Sequence, residues 1–139
     1  MKLTEAELES IPQQFAYNAI KTPDGTLLHS KHGYDYVCHR DDNGELYVLD
    51  GGNGYRRCSV NKEPWVDMSV SMCEDIENIR EYFTWGTYGK QGDQPRRDLL
   101  LKDMSNEHIE NIVSDGHIMT PIMESELQFR KSRGILVED

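Results

Sequence analysis

Apolar residues fall into short runs between turn signals in the first half of the chain and recur at helical spacing in the second. Near the start, Thr4 is followed three residues later by Glu7, with Leu8 and Ile11 apolar and Pro12 closing the segment. This is a capping-box pattern, in which each side chain accepts a backbone N–H that a helix start leaves unpaired, and it predicts a short helix or turn. From Phe15 onward the chain is punctuated by Pro23-Asp24-Gly25, Asp41-Asp42-Asn43-Gly44 and Asp50-Gly51-Gly52-Asn53-Gly54. Such residues supply the backbone angles of tight turns. Strands are predicted between them, over Phe15–Lys21, Thr26–Ser30, Tyr34–His39, Glu45–Leu49, Tyr55–Val60 and Trp65–Val70, with an antiparallel meander as the simplest pairing.

Beyond Val70 the period changes. Ile76, Ile79 and Phe83 lie three and four residues apart, behind Glu74 and Asp75 where a helix dipole favours acids. Ser105 opens a second helix with Ile109, Ile112 and Val113 as its apolar stripe, and Gly116 stops it. Thr120-Pro121 starts a third, with Ile122, Met123, Leu127 and Phe129 inward and Gly134 at its end. Between the first two helices, residues 84–98 are rich in Gly, Gln and Arg and read as a long loop, a length at which function or subunit contact is the usual reason. The expectation is one α+β domain over 1–139. It has an N-terminal arm (1–14), an antiparallel sheet of five to six strands (15–70), two to three C-terminal helices (74–133) and a frayed tail (135–139).

Composition narrows the function. Leu, Ile, Val and Phe together number 30 of 139 residues, close to the roughly 20% below which a chain struggles to build a core. Seven Tyr, two Trp and six Met supply the remaining bulk, and such residues also populate interfaces and pockets, so a homo-oligomer is expected. With 15 Lys and Arg against 25 Asp and Glu the net charge is −10, which opposes binding to DNA or RNA polymers. Apolar runs reach only three residues, as at Leu99–Leu101, against roughly 18 for a membrane span. With no signal-peptide pattern either, the reading is a soluble cytoplasmic protein without a membrane partner. The three cysteines, Cys38, Cys58 and Cys73, show no metal-ligand spacing and read as reduced thiols. No metal and no cofactor is expected.

Three groups of residues could carry chemistry. His29, His32 and His39 crowd one window beside Asp35, but strand alternation sends neighbours to opposite faces, so they read as polar strand residues rather than a metal site. Two arginine pairs, Arg56-Arg57 and Arg96-Arg97, follow turn segments; guanidinium forks suit phosphate, and on a strand only one of each pair faces a given pocket. Finally, Tyr82-Phe83-Thr84-Trp85-Gly86-Thr87-Tyr88 places four aromatics in seven residues. Aromatic faces stack on nucleobases for about 1 to 3 kcal/mol each, although the same side chains also suit a core.

The stretches Asn18-Ala19-Ile20, Asp24-Gly25, Ser30-Lys31-His32, Asp35-Tyr36-Val37, Asp50-Gly51-Gly52 and Tyr55-Arg56-Arg57 carry a resemblance that continues through Phe83-Thr84-Trp85-Gly86-Thr87-Tyr88-Gly89-Lys90, Gln94-Pro95, Leu101-Lys102-Asp103-Met104 and His108-Ile109. From about Asn18 to Arg130 the chain resembles a family of small phage proteins, the first-described type of Thoeris anti-defence protein. The resemblance implies a non-enzymatic sponge in the host cytoplasm that sequesters cyclic ADP-ribose isomers made by TIR-domain immune enzymes. It also implies dimers, which can build hexamers, and a ligand enclosed at the dimer interface. By the same resemblance Arg57 meets the pyrophosphate, Phe83 stacks on the base, and a loop amide comes from Gln91, Asp93 or Gln94; beside these, Trp85 and Lys90 are expected to line or close the pocket, and Arg56 completes the ligand-binding set. Some members hold cyclic oligonucleotides at a second site through basic residues on the following helix; here residues 105–115 contain no Lys or Arg. Two rival readings stand beside the sponge: a metal-dependent phosphodiesterase-like enzyme using the histidine cluster, and an acidic interaction module that inhibits a basic protein.

Overall fold

Phe15–Lys21 forms the strand that organises the first half of the computed structural model, which describes residues 1–59, 61 and 63–139. Two compact units are distinguished, Pro12–Met72 and Met1–Ile11 together with Cys73–Asp139. The whole is α+β, with antiparallel strands ahead of C-terminal helices and more strands than the sequence pattern suggests.

In the N-terminal unit, β1 (Phe15–Lys21) pairs with β2 (Leu27–Ser30) on one edge, and with β6 (Val66–Asp67) and β7 (Val70–Ser71) on the other. A second sheet runs β3 (Val37–Arg40), β4 (Leu46–Asp50), β5 (Arg57–Cys58). All pairings are antiparallel, but the single meander is replaced by two sheets, because the chain returns after β5 to the free edge of β1. The expected strand Tyr55–Val60 is ordered as β5 only over Arg57–Cys58, and its end at Val60 lies outside the described residues. Ile20, Leu28, Tyr47 and Leu49 form the core, with Val37, Cys58 and Trp65 packed on it.

The turn before β5 is dictated by glycine. Gly51 has φ 107°, and a Cβ there would lie 1.9 Å from the Tyr55 carbonyl oxygen. Gly52 has φ 51° and would meet the His32 backbone at 2.1 Å, so only glycine permits both the left-handed angle and the close approach. Buried Asn18 locks this turn, its amide donating to the carbonyls of Gly52 (2.9 Å) and Tyr55 (3.2 Å).

In the C-terminal unit, α1 (Glu5–Ser10) carries the predicted Thr4/Glu7 capping box. The segment expected as an arm is tied down through Met1, whose carbonyl accepts the Ile76 N–H at 2.8 Å. Only one turn of the predicted first helix forms, α2 (Ile76–Ile79). The expected loop 84–98 is instead a hairpin of β8 (Thr84–Thr87) and β9 (Arg97–Leu100). A 3₁₀ turn over Leu101–Asp103 leads into α3 (Asn106–Ser114), capped by the Ser105 hydroxyl, and α4 (Thr120–Arg133) ends at Gly134 in the left-handed conformation. Among its inward residues are Glu126 and Arg130, both fully buried. The tail is not frayed: Val137 exchanges hydrogen bonds with Asn106, its N–H donating to Oδ1 (3.0 Å) and its carbonyl accepting the backbone N–H (2.8 Å). No helix among the described residues is long and apolar enough to cross a membrane.

Candidate functional site

The β8–β9 hairpin sets Trp85 opposite Leu99 and Thr87 opposite Arg97. Residues opposed in an antiparallel pair share a face, as do residues two apart, so these four side chains lie on one side of the hairpin. Three of them line a cleft of about 600 Å³ in the C-terminal unit. Lys90 reaches the same cleft from the hairpin loop, whose turns use Gly89 (φ 85°) and Gly92 (φ 71°) and close through the Gln94 N–H on the Tyr88 carbonyl at 2.9 Å. Ser105, His108 and Asn111 enter from α3 and its cap, and Asp139 from the tail.

Lys90 Nζ and Asp139 Oδ2 are 2.9 Å apart. Hydrogen bonds from Lys90 and then from Ser105 hold the Asp139 carboxyl below its ordinary value, and the same bond to Asp139 raises Lys90. Partial burial is the main influence on His108, lowering its pKa and favouring the neutral imidazole at pH 7, against a smaller opposing pull from Asp139. Arg97 is exposed and makes no ion pair among the described residues. The cleft thus offers a free guanidinium and an ammonium held by one exchangeable partner.

The predicted site residues separate into distinct environments. Arg56 is spent internally: its guanidinium bonds both oxygens of Asp67 at 2.5 and 2.8 Å, the Ser69 hydroxyl and the Ala19 carbonyl at 3.2 Å, near the rings of Phe15 and Trp65. That corrects its assignment to ligand binding, because every guanidinium nitrogen already has a partner within the fold. Its neighbour Arg57 alternates outward, 73% exposed, and spends one nitrogen on Asp50 at 2.7 Å. Phe83 is 1% exposed and belongs to the core, so its ring has no free face for a base. Half-buried Trp85 meets His117 edge-on, with ring centroids 4.9 Å apart. Asp93 and Gln94 are exposed on the hairpin loop beyond Lys90. Trp85 and Lys90 therefore fall on one hairpin with Asp93 and Gln94, while Arg56 and Arg57 belong to the other unit.

Nothing in the sequence marks Ser105, His108 or Asp139 as site residues. Only Arg97 had a signal, as half of an arginine pair: Arg96 lies against Gly86, where a Cβ would come within 2.6 Å of its guanidinium, and bonds Asp98 at 3.3 Å. The alternation leaves Arg97 to the cleft.

The histidine cluster disperses within the N-terminal unit. His39 Nε2 is 2.7 Å from Asp24 and 3.2 Å from Thr26. The hydroxyl of Thr22 and then His39 hold the Asp24 carboxyl far below the ordinary range. His29 packs on Tyr17 with ring centroids 4.4 Å apart, and burial lowers its pKa. Asp35 accepts the Lys31 N–H at 2.8 Å. Among the described residues no three His, Cys, Asp or Glu side chains are grouped to hold a metal ion. Comparison of the chain with protein-family models, curated proteins and solved structures gives no match.

Proposed function

We propose that the chain is a phage anti-defence sponge that binds a cyclic ADP-ribose-type nucleotide in the host cytoplasm and withholds it, uncleaved, from the immune effector it would activate. The observation that carries this reading is the cleft lined by Arg97, Lys90 and Ser105, with Trp85 outside its lining but on the same hairpin face as Arg97. A volume of about 600 Å³ is within the range that encloses a small ligand. Guanidinium and ammonium groups suit a pyrophosphate, and charge-assisted hydrogen bonds contribute about 1.5 to 3 kcal/mol each. Trp85 takes the stacking role that buried Phe83 cannot fill, and Asp93 and Gln94 offer loop contacts. Arg57 belongs to the other unit and keeps most of its donors in solvent; its phosphate role follows from the family resemblance alone and is no part of this cleft. Assembly as a dimer, or a hexamer of dimers, is part of the same proposal, as is a cyclic oligonucleotide as second ligand.

The test is a thermal-shift and mass-spectrometric screen against ADP-ribose isomers and cyclic oligonucleotides, with the bound ligand recovered by heat denaturation. Recovery of an intact cyclic ADP-ribose isomer is expected. Arg97→Ala should weaken binding about ten- to a hundredfold. Absence of a shift with every isomer overturns the reading, and recovery of a cleaved nucleotide replaces sponge by enzyme.

A further inference from the structure

We propose that residues 135–139 form an internal gate on the hairpin cleft, in which the Asp139 carboxylate holds Lys90 where an anionic ligand would take it. The proposal rests on the reading of that cleft as the nucleotide site. After α4 the left-handed Gly134 reverses the chain, and the Ile135 N–H donates to the Arg130 carbonyl at 2.9 Å. Val137 then clasps Asn106, whose Oδ1 is also held by Arg130 Nη1 at 2.8 Å. Asp139 lies two residues beyond that clasp and reaches Lys90, in a cleft that Ser105 also lines.

The two contacts differ in how easily they open. The clasp is partly buried and tied to a buried arginine, whereas the Lys90–Asp139 pair has side chains 72% and 43% exposed. Exposed ion pairs contribute little and exchange readily with solvent and other ions, so the Asp139 side chain can leave Lys90 while the clasp stays. Charge gives the movement a consequence. With Glu138 and Asp139 in place the cleft is lined by four acids, including Asp103 and Glu107, against Lys90 and Arg97. Swinging the two tail acids out leaves two against two, so an anion enters only by replacing the carboxylate that leaves.

Inorganic pyrophosphate and ADP-ribose are the probes, titrated calorimetrically at low salt into the full chain. Asp139→Asn should tighten pyrophosphate binding about two- to fivefold, the size of one exposed ion pair, and should give no gain in a Lys90→Gln background. Hydrogen exchange at the Val137 amide should stay slow on binding, since the clasp holds. If the original chain binds pyrophosphate and Asp139→Asn leaves the affinity unchanged or weaker, the gate is overturned while the nucleotide reading stands. A gain that persists in the Lys90→Gln background is long-range charge alone and also overturns it. No binding of either probe by any of these proteins overturns both.

Discussion

Glu126 and Arg130 sit one turn apart on α4 without solvent exposure, bonded at 2.7 Å, while Lys90 and Asp139 make a pair of similar length in the open. Around the buried pair each guanidinium nitrogen of Arg130 has a partner. Arg80 clamps Glu126 with contacts of 2.9 and 3.1 Å, and Arg130 continues to the Leu101 carbonyl (2.9 Å) and Asn106 (2.8 Å). Desolvated charges cost several kcal/mol unless paired this completely, so the buried assembly joins α2, α3 and α4 in one arrangement and tolerates no loss of a member. The exposed pair leaves its donors available to competitors. One region uses charge to specify a fold; the other uses it to remain exchangeable.

The sharpest way to break that contrast is Glu126→Ala, which strands two guanidinium groups. It should cost about 3 to 5 kcal/mol and lower the thermal midpoint by about 10 °C or more; a small shift in a calorimetric melt would show that water replaces the carboxylate. Arg56→Ala tests an intermediate case in the N-terminal unit, with an expected loss of about 2 to 3 kcal/mol, while Arg57→Ala next to it, which removes a single bond to Asp50, should cost less. Acid titration refines this. Arg56 holds the Asp67 carboxyl at about 2 against an ordinary 3.8, so the folded chain binds that proton less readily than the unfolded one. The stability it confers is present above about pH 4 and is lost as pH falls toward 2. Asp67 is 55% exposed, which limits the effect to about 1 kcal/mol or less; urea melts across that range should show it, and Arg56→Ala should abolish it. Smallest of all, Asp139→Asn should leave the melting temperature unchanged while altering ligand affinity.

Much of this was legible where local chemistry decides. β1 matches its predicted bounds because turn residues flank it on both sides, and α3 and α4 follow their Ser, Pro and Gly signals. The β8–β9 hairpin was hidden because each strand is only four residues long and the nine between them are turn-rich. Phe83 shows that an aromatic beside a glycine-rich segment reads the same whether it faces a ligand or the core. Alternation said that Arg56 and Arg57 part company, but which one turns inward depends on Asp67, eleven residues away. Glu126 and Arg130 look like an ordinary surface pair at helical spacing; their burial depends on Arg80, 46 residues earlier. Long-range partners decide these cases, and pattern along the chain does not encode them.

The sequence contains two tryptophans, and the fold deals one to each unit: Trp65 beside the Arg56 guanidinium, Trp85 edge-on to His117. Each half of the molecule therefore carries its own optical label. Replacing either indole by phenylalanine turns the remaining emission into a private record of one unit, and whether the two records coincide during denaturation tells directly if the halves melt as one cooperative body or in sequence.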